Sequence, residues 1–169
     1  DFDQLASIKE ISTLSPLASS KLGRNGKESI AYGRSEIEVR GSSEEVLAFM
    51  FHIDSRARWK PSDLEKTFVH ENTLHNCITY TCKAATHVGF IKLLPREGLN
   101  CAIWKRVADN FIVLVSKPTT HELRPITPDR VRGAMPYAVV ITQITQNRCK
   151  LTYFVSLDLG GLLPIKVVD

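Results

Sequence analysis

Cys149-Lys-Leu-Thr-Tyr-Phe-Val-Ser-Leu-Asp-Leu-Gly-Gly-Leu-Leu-Pro-Ile-Lys-Val-Val-Asp169 is the stretch whose reading decides the fold. Its first half alternates. Leu151, Tyr153, Val155 and Leu157 share one face, and Lys150, Thr152, Phe154, Ser156 and Asp158 share the other. That two-residue period is the mark of a strand lying in a sheet. The alternation breaks at Gly160-Gly161 and passes through Leu162-Leu163-Pro164, where the next element should be a helix. A sheet followed by an apolar helix across its mouth can enclose a ligand.

Working outward, the chain has 169 residues, 43% hydrophobic and 24% charged, enough for a single domain over 1–169 with a real core. No apolar run approaches the ~18–20 residues of a membrane-spanning helix. The chain opens on Asp1-Phe2-Asp3 without an initiator Met or a signal peptide, so the expectation is a piece excised from a larger polypeptide. The net charge of +4 is compatible with an anionic membrane surface. The basic groups Arg56/Arg58/Lys60, Lys105/Arg106 and Arg130/Arg132 are short and scattered, with no aromatic RNA-binding signature, which argues against nucleic acid. Cys77, Cys82, Cys101 and Cys149 form no Cys-x-x-Cys pair and read as small buried residues of a reducing compartment, so a cytoplasmic location is expected.

Phe2, Leu5 and Ile8, spaced by three, predict a short helix over residues 1–11, followed by a connector over Ser12–Ser20. Asn25-Gly26 is a hairpin signal between short strands, with further strand pieces over Ile30–Arg34 and Glu36–Arg40. Ser42 with Glu45 fits a capping box, and Val46, Phe49, Met50 and Ile53 continue one helical face toward Arg58-Trp59-Lys60-Pro61. Beyond Pro61 the period changes to two. Strands are predicted over Leu64–His70, His75–Ala84, Leu99–Val107, Phe111–Ser116, Tyr137–Ile144 and Cys149–Asp158, with turns at Asn72, Asn110 and Gln146-Asn147. This is α+β, with most strands pairing to sequence neighbours. Two long connections interrupt it, Ala85–Gly98 and Pro118–Pro136. Phe90, Ile91, Leu93 and Leu94 in the first either tuck into the core or form a gate for an apolar ligand.

Catalytic signatures are missing. His70-Glu71-Asn72-Thr73-Leu74-His75 has one residue too many for the zinc motif His-Glu-x-x-His, and no nucleophile elbow, phosphate loop or dinucleotide fingerprint occurs. The expectation is no enzyme, no metal and no cofactor. The strands Phe111–Val115 and Tyr137–Ile144 are apolar on both faces and need cover on both, from core or from ligand.

Ordered pieces of the chain resemble one family. Val39-Arg-Gly-Ser-Ser-Glu-Glu-Val-Leu47 leading to Arg58-Trp59, Pro95-Arg-Glu-Gly98 opening a strand that ends Trp104-Lys-Arg106, Val131-Arg-Gly-Ala-Met-Pro136, and Leu151-Thr-Tyr153 with Asp158-Leu-Gly-Gly-Leu-Leu-Pro164 follow one pattern in order. Together they resemble the START (steroidogenic-acute-regulatory-protein-related lipid transfer) domain, as a divergent member. The resemblance implies a helix-grip fold: a curved antiparallel sheet with N-terminal helices, wrapped around a C-terminal lid helix largely absent from this chain. It implies binding of a single lipid (phospholipid, sterol or other) in an apolar cavity, with transfer or sensing at membranes, transient membrane contact, peripheral at most, and a monomeric state. The alternatives are a lipid-responsive regulatory module of a larger protein and a helix-grip enzyme, a cyclase or hydrolase. The greasy loop Phe90, Ile91, Leu93, Leu94 falls where the family has its gate, and Arg132 and Met135 lie in the second loop. Cavity lining is expected from Thr79, Thr81, Lys83, Ala102, Trp104, Val139, Ile141, Tyr153 and Val155. The acidic position of sterol- and ceramide-binding members falls at Thr81 and the basic position of the sterol binders at Ala102, which argues against those lipids. The family's Phe after Pro-Arg-Asp is Gly98 here, and its Glu after Val-Arg is Gly133 or Ala134.

Overall fold

Runs of β-branched and aromatic residues at period two build almost everything in the computed structural model, which describes residues 2–5, 7–13, 15–24, 30–88 and 90–158. In chain order the elements are β1 (Ser7–Ile11), β2 (Ala18–Arg24), β3 (Ala31–Arg40), α1 (Ser43–Phe51), β4 (Asp63–Thr73), β5 (Asn76–Lys83), β6 (Thr86–Val88), β7 (Ile91–Leu93), β8 (Arg96–Ala108), β9 (Phe111–Pro118), β10 (Val131–Arg132), β11 (Tyr137–Thr145) and β12 (Arg148–Leu157). The main sheet runs β1-β2-β3-β12-β11-β9-β8-β5-β4, antiparallel along that path, with β10 added in parallel beside β8; β6 and β7 form a separate small hairpin. All six strands expected beyond Pro61 are present. The α+β expectation holds.

The N-terminus differs from its sequence reading. Residues Phe2–Gln4 make one 3-10 turn, and Ser7–Ile11 is a strand against β2, from Ser7 opposite Arg24 to Ile11 opposite Ser20. Three apolar residues at a spacing of three are too few to hold a helix when a neighbouring strand offers every second backbone group a partner. β2 also begins at Ala18, inside the expected connector. The Asn25-Gly26 hairpin signal lies outside the described residues, although β2 and β3 on either side pair antiparallel down to Arg24 and Ala31. Asn72 sits in β4, and the turn falls at Leu74-His75.

The capping box at α1 is complete. The Ser42 hydroxyl accepts from the Glu45 amide at 3.2 Å, and the Glu45 carboxylate accepts from the Ser42 amide at 2.8 Å. Gly41, with φ of +140°, takes the turn from β3 into the helix, a backbone that a side chain would strain. The helix stops at Phe51, earlier than the Arg58–Pro61 boundary expected. Asp54 and Ser55 favour turns over helix interiors, and Ile53 folds back into the core while its amide bonds the Phe51 carbonyl. A 3-10 turn over Arg56–Arg58 follows.

α1 covers one face of the sheet, the inner face. Leu47 is buried there with Ile112, Leu114, Val139, Ile141, Cys77, Ala102 and Cys149, and Met50, Phe51 and Phe68 close the cluster. On the outer face a second cluster joins Tyr80, Cys82 and Leu99. Cys77 and Cys82 therefore do lie on opposite faces of β5, and all four cysteines are free thiols. Among the described residues no helix is long and apolar enough to cross a membrane.

Candidate functional site

Register decides which side chains meet. On the inner face Lys83 stands opposite Arg96, Thr81 opposite Gly98, Thr79 opposite Asn100 and Cys77 opposite Ala102. β4 adds Asp63 opposite Lys83, Lys66 opposite Thr81 and Phe68 opposite Thr79. Across the middle of the sheet Tyr137 pairs with Val155 and Val139 with Tyr153. Following these pairs through β9 places all nine expected lining residues on this one face.

They do not all reach open space. Beyond the end of α1 a cavity of about 450 Å³ opens over Thr79, Thr81, Lys83 and Asn100, walled by Phe49, Ile53 and Arg58 on one side and by Met135, Tyr137 and Tyr153 on the other. Ala102, Val139 and Ile141 share the face but lie beneath α1, filled in by its side chains. Trp104 is also remote from the hollow. Its indole Nε1 donates to the Leu74 carbonyl at 3.1 Å and its ring lies 4.1 Å from that of His75. Val155 stands beside Gly33, where a Cβ would come within 3.0 Å of its Cγ1, and borders a separate hollow with Tyr32, Val115 and Phe154.

A second space of about 390 Å³ shares Thr81, Lys83 and Met135 with the first and continues it outward. Leu93 and Leu94 line it from one side and Gly133 and Met135 from the other. The two long connections thus meet at one mouth. The first is not the plain loop expected: β6 and β7 fold it into a hairpin, and β8 starts at Arg96. Phe90 at its tip is fully exposed (108%), and the side chain of Ile91 lies outside the described residues. Arg132 points away from the mouth. Its Nε donates to Glu97 Oε1 at 2.7 Å and its Nη2 to the Arg124 carbonyl at 3.1 Å. Tyr80 donates to Glu97 Oε2 at 2.6 Å, and Arg130 donates to the Tyr80 hydroxyl at 2.7 Å. Two sequence pieces singled out separately, Pro95–Gly98 and Val131–Pro136, therefore touch through a buried ion pair on the outer face.

The cavity's electrostatics centre on Asp63, whose side chain is 1% exposed. Burial pushes its carboxyl upward, but hydrogen bonds from Lys66 at 2.7 Å, the Lys60 amide at 2.8 Å and Lys83 at 3.1 Å outweigh that and hold it at about 2. Tyr137 and Tyr153 stack with centroids 5.5 Å apart. Burial raises both phenols, Tyr153 to about 12, so each keeps its proton at neutral pH. Burial likewise lifts the Cys77 thiol to about 12, which makes it a poor nucleophile. Among the described residues no three His, Cys, Asp or Glu side chains converge as metal ligands.

Asp63, Lys66 and Asn100 were missing from the sequence reading of the site. Asn100 was within reach, because it falls between Gly98 and Ala102 at period two on β8. Asp63 was hidden behind Pro61-Ser62, where it reads as a turn residue.

No family model matches the chain, and no curated protein matches it in sequence. Solved structures do match. Human StAR-related lipid transfer protein 5 superposes with a TM-score of 0.78 at 24% identity, over 97% of this chain and 78% of that one. The fold is that of a START domain. Human STARD10 matches the same START fold with a TM-score of 0.78 at 16% identity, over 99% of this chain and 67% of that one. The STAR-related lipid transfer protein from Xanthomonas axonopodis gives 0.77 at 12%, over 96% and 88%. The START fold is the helix-grip arrangement, of which the described residues show the antiparallel sheet with α1 packed against its inner face. The C-terminal lid helix that the family resemblance implied, placed largely beyond Asp169, lies outside the described residues.

Proposed function

We propose that this chain binds a single lipid in the inner-face cavity and transfers or senses it at membranes, without catalysing a reaction. The carrying observation is the continuous pair of spaces, about 450 and 390 Å³, with a polar floor that includes charged groups and with Leu93, Leu94 and Met135 at the mouth. That size and mixture suit a ligand with a long apolar part and a few polar atoms. A C16 acyl chain leaving water gains about 0.8 kcal/mol per CH₂, roughly 12 kcal/mol gross. Leu93, Leu94 and Met135 at the mouth supply the first apolar surface such a chain meets. The structures it resembles are named as lipid transfer proteins, which supports the same reading. The ionisable groups of the cavity favour carriage over chemistry, since Asp63 stays charged and Tyr137 and Tyr153 stay protonated near neutral pH. The rest of the reading is a monomer with transient membrane contact in the cytoplasm, built as a single domain over 1–169.

Incubation with mixed liposomes, re-isolation and native mass spectrometry test the proposal. One lipid per chain is expected. A protein that leaves every liposome mixture empty refutes it.

A further inference from the structure

The positive charge of the cavity exceeds what the fold itself uses. Arg58, Lys60, Lys66, Lys83 and Arg96 line the two joined spaces, and the carboxylates lining them are Asp63, Glu97 and Asp158. Glu97 is spent on the outer face, where Arg132 and Tyr80 bind its two oxygens. Five cations therefore face two carboxylates. Asp63 engages two of the cations, Lys66 and Lys83.

The register makes the excess sharper. Lys83 and Arg96 are directly opposite on β5 and β8 and point to the same face. Like charges in that position repel and weaken a sheet. Lys83 is still 48% exposed despite its bond to Asp63. Arg96 spends one Nη1 hydrogen bond on the Leu94 carbonyl, while its Nε is buried with no hydrogen-bond partner among the described residues. A buried guanidinium N–H without an acceptor is costly unless a ligand supplies one. The two cations stand where the inner space opens into the mouth, the level at which the head of a lipid with its tail inside would come to rest.

Resting on the lipid-binding reading above, we propose that the lipid this cavity selects carries a net-negative phosphate head, bound between Lys83 and Arg96 with Lys60 and Arg58 nearby. A phosphate offers acceptors to both the arginine fork and the lysine ammonium, and it relieves their mutual repulsion. A zwitterionic head would bring its own cation into the same field.

Vesicles containing equal parts of phosphatidic acid, phosphatidylcholine and diacylglycerol with matched acyl chains provide the test, with bound lipid counted by native mass spectrometry after re-isolation. Phosphatidic acid should exceed phosphatidylcholine by about tenfold, the discrimination one charge-assisted contact provides. In the Lys83→Gln/Arg96→Gln double variant the ratio should fall toward one while diacylglycerol loading persists. The exposed Lys60→Gln change, which breaks no bond of the fold, should lower the ratio by a smaller factor and stands in if the double variant fails to fold. Equal loading of the two phospholipids by the unaltered protein, or a preference that survives both variants, overturns the head-group assignment and leaves lipid binding intact. No loading of any of the three, diacylglycerol included, overturns both. Glycerol 3-phosphate is titrated separately by calorimetry. Tight binding of that soluble ester without lipid preference would assign the cations to a free phosphate ester and overturn the proposal.

Discussion

Replacing Asp63 by Asn removes the charge but keeps the shape of the group that Lys66, Lys83 and the Lys60 amide converge on. Lowering this carboxyl from 3.8 to about 2 corresponds to about 2 kcal/mol of stabilisation at neutral pH. The side chain is almost wholly buried, so little of that is lost to solvent screening. The sign is that of a depressed acid. The stabilisation is fully present above the unfolded value near 4 and disappears as pH falls toward 2. Urea unfolding of Asp63→Asn beside the unaltered protein at pH 7 should show a deficit of about 2 kcal/mol, or about 4–8 °C in melting temperature for a chain of this length. At pH 3 about half of the deficit should be gone, because in the unfolded chain the Asp63 carboxyl is by then mostly protonated while in the folded protein it is still largely ionised. A deficit as large at pH 3 as at pH 7 would refute the reasoning, and would mean that Asn disrupts the site by shape rather than by charge. No deficit at pH 7 would show that Lys66 and Lys83 do not depend on their shared partner.

Leu93→Asp places a charge at the half-buried mouth and should slow lipid uptake from liposomes severalfold, with a stability loss below about 1 kcal/mol by urea unfolding because the position is not core. Glu97→Gln leaves Arg132 without its buried partner and should cost about 3–5 kcal/mol in chemical denaturation, with faster protease cleavage within 119–130. Gly98→Leu sends a side chain past Thr81 Oγ1, 3.3 Å from where its Cβ would stand, into the floor of the cavity; lipid loading should fall while circular dichroism stays that of the sheet. Ser42→Ala removes the cap of α1 and should cost about 1 kcal/mol in thermal or urea unfolding.

The later strands were readable locally: β12 alternates along its ten residues, and β11 is a nine-residue run rich in β-branched residues bounded by turn signals. The capping box at Ser42 and Glu45 was equally local. What failed was long-range. Ser7–Ile11 is a strand only because β2 lies beside it, and nothing within those five residues says so. Period two set Thr79, Thr81 and Lys83 in step along β5 but did not say which strand faces meet the cavity. It could not tell that α1 would fill the space over Ala102, Val139 and Ile141 and leave Thr79, Thr81 and Lys83 open. The charges at Asp63 and Arg96 became meaningful only once three strands were laid side by side.

β12 joins two parts of the sheet that otherwise have no common border. Its one edge pairs with β11 and its other with β3, residue for residue from Arg148 opposite Arg40 to Leu157 opposite Ala31. The Arg148–Glu38 ion pair spans 110 positions of chain. During synthesis, β1, β2 and β3 are made early and remain an isolated three-stranded ribbon, with the edge of β3 unpaired, until the last strand has been translated. Contacts of such wide separation form slowly. The nascent N-terminal ribbon is therefore the segment that a chaperone has most reason to shield, and a ribosome stalled before Arg148 would release a chain unable to close its own sheet.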